Sequence, residues 1–178
     1  AIFDNVDAVF FCDVPSFQPA LAKVLGDFVR RGGSVVFFLG PGAETANYNQ
    51  QFGPAGSNLL PGQLAQAVGQ IGPDADATIA EFTDISHPLL EDLFDDRADY
   101  PDVLVQRYFQ FKDFSSSSSS DRVLMKLTGG DPLFIERDVG AGKVLWCATT
   151  ASPRWSNLPM ASVFPPMMIR LALRAGQA

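Results

Sequence analysis

The sequence is poor in the residues that most often carry metal or nucleophilic chemistry. It has one histidine, His87, and two cysteines, Cys12 and Cys147. A zinc site needs three or four ligands drawn mainly from these types, so a zinc site is nearly excluded. Both cysteines stand in apolar runs, which favours buried thiols over a disulfide or a catalytic thiol. We therefore expect no metal and no cofactor, and any Cys–His or Ser–His mechanism must use His87.

Positive charge and long apolar runs are also scarce. The chain has 13 Lys and Arg against 20 Asp and Glu, which gives a net charge of −7. This balance argues against nucleic acid or an anionic membrane as a partner. No apolar run approaches the roughly 18 residues of a spanning helix, and no signal peptide is visible. We expect a soluble part of a larger protein, because the chain opens without Met and almost inside a strand.

Two glycine-rich stretches fall short of known motifs. Gly40-Pro41-Gly42 follows a buried strand, but the third glycine of a dinucleotide fingerprint is replaced by Thr45. A nucleophile elbow needs Ser or Cys at its tip, where this turn has a proline. The second stretch, 139–144, lacks the spacing of a phosphate-binding loop and favours a hairpin turn at Gly140-Ala141-Gly142. We interpret both stretches as turns.

Periodicity predicts an α/β fold in a single domain, 1–178. Strand 7–16, helix 16–33 and strand 34–39 form a βαβ unit, because a buried apolar run precedes and follows an amphipathic helix. Further along the chain, the pattern predicts these segments: short helices within 43–76, an edge strand at 77–82, a helix start at 86–96, a strand at 103–111, a mobile serine tract at 115–120, strands at 122–127, 132–139 and 143–150, and a helix at 163–175. Together they indicate a mixed sheet covered by helices.

Polar side chains near strand ends are the candidate ligand-binding residues. Asp13 follows the first strand, and Trp155 and Asn157 follow the last one. Open α/β sheets bind ligands at the carboxyl ends of their strands, so these three residues could form a small-ligand or carbohydrate site. Packing is the favoured role for Trp155. His87 precedes a proline at a predicted helix entrance, which favours capping or packing over catalysis.

Several stretches resemble a known family. The stretch DAVFFCDVPSFQPALAKVLGDFVRRGGSVVFFLG resembles the strand, helix and strand of class I glutamine amidotransferase-like domains, which include ThuA-like proteins. ISHPLL resembles the H-P element of ThuA-like domains, and VGAGKVLWCATT resembles their G-x-G-[RK]-V strand. GGDPLFIERDVGAGKVLWCATTASPRWSNLP is similar to a region of large bacterial membrane proteins that have a Bat-type N-terminal membrane segment and a von Willebrand A domain.

The resemblance implies a three-layer, flavodoxin- or Rossmann-like fold whose mixed sheet is mainly parallel, with helices on both faces and a hairpin near the C-terminus. It places the family's nucleophile elbow at Gly40, Pro41 and Gly42, where no cysteine stands. The late strand is followed by Thr149 and Thr150 and not by a histidine. The family's first strand and helix would lie upstream of this chain.

The leading hypothesis is a non-catalytic amidotransferase-like domain of a larger bacterial envelope protein, used for protein interaction or ligand sensing. The resemblance implies an adjacent von Willebrand A domain or other membrane-complex subunits as partners, and a membrane anchor outside this chain. Two alternatives stay open. One is an amidotransferase or hydrolase that uses Cys12, His87 and Asp13, which would have to meet in a cleft. The other is the ligand site of Asp13, Trp155 and Asn157.

Overall fold

A computed structural model describes residues 2–3, 5–93, 102–115 and 119–174. Parts of the serine tract and of the segment predicted as a helix at 86–96 lie outside these residues. The elements are β1 (Ala8–Cys12), α1 (Pro19–Arg30), β2 (Ser34–Phe38), α2 (Thr45–Phe52), β3 (Gln63–Val68), β4 (Thr78–Phe82), β5 (Val103–Val105), β6 (Tyr108–Lys112), β7 (Asp121–Leu127), β8 (Pro132–Val139), β9 (Gly142–Cys147) and α3 (Phe164–Arg174). Within the described residues, no helix is both long and apolar enough to cross a bilayer.

The main sheet has seven strands in the order β1-β2-β9-β8-β7-β4-β5, and β3 pairs with β6 in a separate two-stranded sheet. β1, β2 and β9 are parallel, whereas the other four pairings of the main sheet are antiparallel. The expectation of a mainly parallel sheet is therefore wrong. Two of the four pairings, β7–β8 and β8–β9, join strands that are connected by short turns, and such strands return antiparallel. The predicted hairpin is confirmed between β8 and β9, where Val139 pairs with Gly142.

The βαβ unit at the start of the chain agrees with the apolar periodicity. Pro19 lies in the first turn of α1, where its missing N–H costs nothing. Leu25, Phe28 and Val29 are buried on the face of α1 that points to the sheet. The helix returns to β2 through Gly33, where a Cβ atom would lie 2.3 Å from the Phe28 ring. A glycine is therefore required at this close approach.

An aromatic cluster forms the core above β2. Phe37 stacks on Trp146 of β9 with ring centroids 4.0 Å apart, and Tyr48 and Phe52 of α2 contact both rings. The indole N–H of Trp146 donates to the carbonyl of Leu59, which satisfies the buried polar atom. On the other face of the strand, Phe38 contacts a ring of α3. Helices thus pack on both faces of β2.

Four element predictions are corrected. The segment 103–111 is two strands in two different sheets, and part of the region expected to hold short helices forms β3. Strand β4, which was predicted as an edge strand, is the second strand from the edge, because β5 pairs along its outer side. Residues 86–93 form successive turns and not a helix. For the strands the outcome depends on pairing with a distant part of the chain, which local periodicity does not encode.

Candidate functional site

Asp13 and the turn after β2 meet at the carboxyl end of the parallel strands. The backbone N–H of Asp13 donates to the carbonyl of Phe38, which continues the β1–β2 pairing by one residue. Asp13 then adopts a left-handed backbone conformation with φ of 51°. Its carboxylate atom Oδ1 accepts the backbone N–H of Gly42 at 2.8 Å. The predicted ligand residue Asp13 is therefore in direct contact with the predicted degenerate elbow.

Gly40 has a steric role in this contact. A Cβ atom at position 40 would lie 2.4 Å from Oδ1 of Asp13 and 2.8 Å from its Cβ. Real Cβ atoms do not approach other heavy atoms so closely, so the Asp13 side chain sits in the space that glycine leaves open. Pro41 at the tip is exposed and has no N–H.

This arrangement bears directly on acyl-transfer chemistry. In a nucleophile elbow, the backbone N–H of the residue after the nucleophile helps to bind the oxyanion. When the sequence of this turn is aligned with such an elbow, Pro41 takes the position of the nucleophile and Gly42 supplies the backbone N–H that follows it. That N–H already donates to a carboxylate of the same chain. The tip of the turn thus has no nucleophile, and the Gly42 N–H is engaged by Asp13.

The two cysteines lie level with each other on β1 and β9. Cys12 pairs with Phe38, which in turn pairs with Cys147, so two strand spacings of roughly 4.8 Å separate the thiol-bearing residues. This separation is too great for a disulfide, and both thiols are free. Cys12 is an exposed residue of the edge strand β1, and the partial burial of its thiol raises the pKa of that thiol. Complete burial raises the pKa of the Cys147 thiol to about 12. Both thiols are therefore protonated and weakly nucleophilic at neutral pH.

His87 is buried and has its own partners. Its Nε2 lies 3.1 Å from Oε1 of Glu136, and its Nδ1 accepts the backbone N–H of Leu89 at 3.2 Å. A neutral ring satisfies both contacts, because it donates from Nε2 and accepts at Nδ1. Glu136 belongs to β8, which is three strands from β1, or roughly 14 Å. The structure does not bring His87 and Cys12 to hydrogen-bond distance.

Glu136 is a buried residue that sequence reasoning missed. Its Oε1 also accepts a hydrogen bond from Nζ of Lys143 at 3.0 Å, and this lysine contacts the exposed Asp138. Burial raises the pKa of the Glu136 carboxyl. The hydrogen bonds and charges of His87 and Lys143 lower it by more, so that the pKa is about 2. The signal in the sequence was an acid that directly follows the apolar residues PLFI, since an acid that continues a buried strand requires partners.

Trp155 and Asn157 lie near β5, at the opposite edge of the seven-stranded sheet from Asp13. Trp155 is buried, packs on Phe109 and carries the guanidinium of Arg107 over its ring at 5.4 Å. The side chain of Asn157 accepts the N–H of Leu104 at 2.7 Å and donates to the carbonyl of residue 102 at 3.0 Å. Asn157 therefore stabilises the edge strand β5, and Trp155 packs beside β6. Within the described residues, neither contacts Asp13.

Comparison with known proteins gives information on the fold. No family model matches the sequence, and no curated protein matches it. Two solved structures of cytoplasmic proteins from Salmonella typhimurium superpose with TM-scores of 0.69 and 0.68, at 16% and 18% identity. They cover 94% and 96% of this chain, and 70% and 71% of their own chains. A protein described as ThuA-like from Bacteroides uniformis superposes with a TM-score of 0.60 at 10% identity, over 95% of this chain and 68% of that one.

The chain shares its fold with a ThuA-like protein. At such low identity the likeness concerns the fold and says nothing of activity. The same fold also forms part of larger enzymes. A β-galactosidase from Bacillus circulans superposes with a TM-score of 0.56 at 14% identity, over 96% of this chain but 22% of the enzyme. The fold therefore occurs both in proteins of similar size and as one portion of long chains.

Proposed function

We propose that this chain is a non-catalytic ThuA-like, amidotransferase-like domain that contacts other proteins. The observation that carries the proposal is the hydrogen bond from Gly42 N–H to Asp13, because it fills the position where an active relative would bind an oxyanion. A proline at the tip removes the nucleophile from the same turn. The turn is thereby converted from a reactive element to a structural one.

The late part of the chain supports the same proposal. Thr149 and Thr150 follow β9, where the resemblance implies a catalytic histidine in active relatives. Their hydroxyl groups donate to the backbone carbonyls of Arg107 and Ser152, at 3.1 and 2.7 Å. These side chains are buried and serve local structure. Neither position offers a base that could activate a nucleophile.

The wider setting belongs to the same proposal. We infer a place in a larger bacterial envelope protein, with a von Willebrand A domain or membrane-complex subunits as partners, from the resemblance of residues 129–159. A flavodoxin-like layering over β1, β2 and β9 is supported by the helical contacts on both faces of β2. Because the turn after β2 carries no nucleophile at its tip, we assign the function to the surface of the domain, as protein contact.

A glutamine-like electrophile tests the absence of catalysis. The protein is incubated with 6-diazo-5-oxo-norleucine and its intact mass is measured. We expect no adduct, because no thiolate and no free oxyanion donor are present together. A maleimide serves as the positive control, since it should label the exposed Cys12 but not the buried Cys147. A stoichiometric adduct that Cys12→Ser removes would overturn the proposal.

A further inference from the structure

A cavity of about 460 Å³ lies between α1 and the turns that follow α2. Pockets that bind small ligands in proteins have volumes of roughly 300–1,000 Å³, so this cavity is large enough for one. Its lining residues all belong to 19–57, a continuous part of the described chain. The polar side chains among them are Lys23, Asp27, Arg30, Gln50, Gln51 and Ser57. A lining that can form so many hydrogen bonds favours a polar ligand.

Arg30 joins the two walls of this cavity. Its Nη2 donates to the carbonyl of Ser57 at 2.7 Å, and its Nη1 donates to Asp27 at 3.3 Å. Gly26 lies beside this contact, since a Cβ atom there would be 3.0 Å from Nη1 of Arg30 and 3.0 Å from Cβ of Ser57. The helix and the turn therefore meet closely at Gly26, and this end of the cavity is fixed by contacts within the chain.

Two other carboxamides of α2 show what such a group binds in this protein. Asn47 accepts the N–H of Phe17 at 2.8 Å and donates to the carbonyl of the same residue at 3.2 Å. Asn49 accepts the N–H of Leu64 and donates to its carbonyl, both at 2.8 Å. Each side chain thus takes both backbone groups of one residue. In extended chain these two groups point to the same side, so one carboxamide can reach both.

Gln51 has the same chemical group on the same helix, but its amide has no hydrogen-bond partner among the described residues. The residue is only 8% exposed. Its amide atoms are not sealed from solvent, and because the residue lines the cavity, they reach that space. The longer side chain does not prevent such pairing, since Gln106 binds the carbonyl and N–H of Gly72 at 2.8 and 3.4 Å. A buried amide requires partners, and the cavity is where Gln51 can receive them.

We propose that this cavity binds a short extended peptide that carries a carboxylate. Gln51 pairs with the N–H and C=O of one peptide residue, and Lys23 binds the carboxylate. This inference rests on the proposed function, protein contact, for which it names a site and the chemistry of the partner. The apolar part of the lining consists of small residues such as Ala22, Ala55 and Gly56, which leaves room for the peptide backbone.

The charges at the cavity select a single carboxylate. Lys23 forms no ion pair within the described part of the chain, whereas Asp27 is paired with Arg30 at 3.3 Å. The lining therefore has one positive charge in excess, although the whole chain carries a net charge of −7. Asp27 disfavours a doubly charged phosphate at the same place, because like charges repel. Since Lys23 is exposed, its charge adds less to the affinity than the two hydrogen bonds of Gln51.

The test is an NMR titration of the isotope-labelled chain with three synthetic peptides. Acetyl-Ala-Glu-Ala-amide carries the carboxylate on a side chain, acetyl-Ala-Ala-Ala carries it at the chain end, and acetyl-Ala-Gln-Ala-amide is the uncharged control. We expect both carboxylate peptides to shift the amide signals of α1 and of 50–57 and to bind about threefold more tightly than the control. The tighter of the two shows whether the partner offers an acidic residue or a C-terminus. No shift at millimolar peptide, or equal binding of the control, would overturn the proposal.

A variant of Gln51 separates recognition from folding. Gln51→Met keeps the length of the side chain and removes an amide without a partner in the chain, so the free energy of unfolding should not fall. We expect its peptide affinity to fall at least about tenfold, because two hydrogen bonds are lost. Gln50→Met is the matched control, since the Gln50 amide is exposed and hydrated. If Gln51→Met does not fold, Ala55→Trp fills the cavity from an exposed position. Unchanged affinity in the variant measured contradicts the assignment.

A variant of Lys23 tests the second contact. Lys23→Gln should weaken the binding of acetyl-Ala-Glu-Ala-amide about threefold and leave acetyl-Ala-Gln-Ala-amide unaffected, because only the first peptide offers a charge. An equal loss for both peptides would show that Lys23 does not bind the carboxylate. The electrophile experiment stays independent of these titrations. An adduct there defeats the proposed function, whereas an absence of peptide binding without an adduct defeats this inference alone.

Discussion

The Asp13 carboxylate holds the turn after β2, and Gly40 gives it the space to do so. The sequence placed both residues at the same end of the sheet, since the carboxyl ends of parallel strands lie together. It did not predict that the carboxylate would bond to Gly42, because the contact requires a left-handed residue at Asp13. The sequence could therefore place Asp13 beside this turn, but it predicted neither their hydrogen bond nor the distant position of Trp155 and Asn157.

A methyl group at position 40 tests this contact. We expect Gly40→Ala to lower the free energy of unfolding by about 1–3 kcal/mol, because the new Cβ must displace the Asp13 side chain. Gly42→Ala is the matched control, since its Cβ would lie 3.2 Å from Oδ1 of Asp13. Urea unfolding measures both variants. A larger loss for Gly42→Ala than for Gly40→Ala would contradict the account.

The Glu136 carboxyl should give the protein a distinct acid dependence. Its pKa in the folded state is about 2, below its ordinary value of 4.5. A carboxyl with a lowered pKa stabilises the fold fully above the ordinary value and loses this contribution as the pH falls toward the folded value. We expect the stability difference between the wild type and Glu136→Gln to be constant from pH 7 to 5 and to shrink from pH 4.5 to 2.

Chemical unfolding at a series of pH values measures this difference. Asp138→Asn is the control, because Asp138 contacts the same lysine but its side chain is 55% exposed. Exposed pairs contribute little to stability, so this variant should follow the wild type closely. A difference between wild type and Glu136→Gln that stays constant down to pH 2 would show that the carboxyl is not held ionised by its neighbours.

At the scale of elements, the early βαβ unit was predictable and the strand pairing after it was not. Apolar periodicity predicts the elements within 7–39, because the type of each element there is set by the pattern of its own apolar residues. The segment 103–111 is continuous in sequence pattern, yet it changes sheets at Gln106 and Arg107. Both N–H groups at this break donate to the carbonyl of Trp155, about fifty residues later in the chain. A break held by so distant a residue leaves no local signal.

Asn157 should control the order of β5. Replacing it with alanine removes the acceptor for the Leu104 N–H and the donor to residue 102. We expect Asn157→Ala to speed hydrogen exchange at the Leu104 amide at least about tenfold and to lower stability by about 1–2 kcal/mol. Met160→Ala is the control, since Met160 is nearby and largely exposed. Unchanged protection at Leu104 would show that β4 alone orders this strand.

At the scale of the whole molecule, the described residues combine a mixed seven-stranded sheet with a turn after β2 whose tip, Pro41, carries no nucleophile. The resemblance predicted from short motifs agrees with the fold likeness, because ThuA-like architecture is seen among the superposed structures. The error in strand direction arose because the late hairpins outnumber the early crossover. We propose that the molecule binds a neighbouring protein and does not turn over a substrate.

Ammonia release from glutamine tests that account most directly. The purified protein is incubated with millimolar L-glutamine, and ammonia is measured with a coupled glutamate dehydrogenase assay beside the Cys12→Ser variant. The account predicts no release above buffer for either protein, since the Gly42 N–H is held by Asp13 and His87 is held by Glu136. A turnover that disappears in Cys12→Ser would contradict it and restore the enzyme hypothesis.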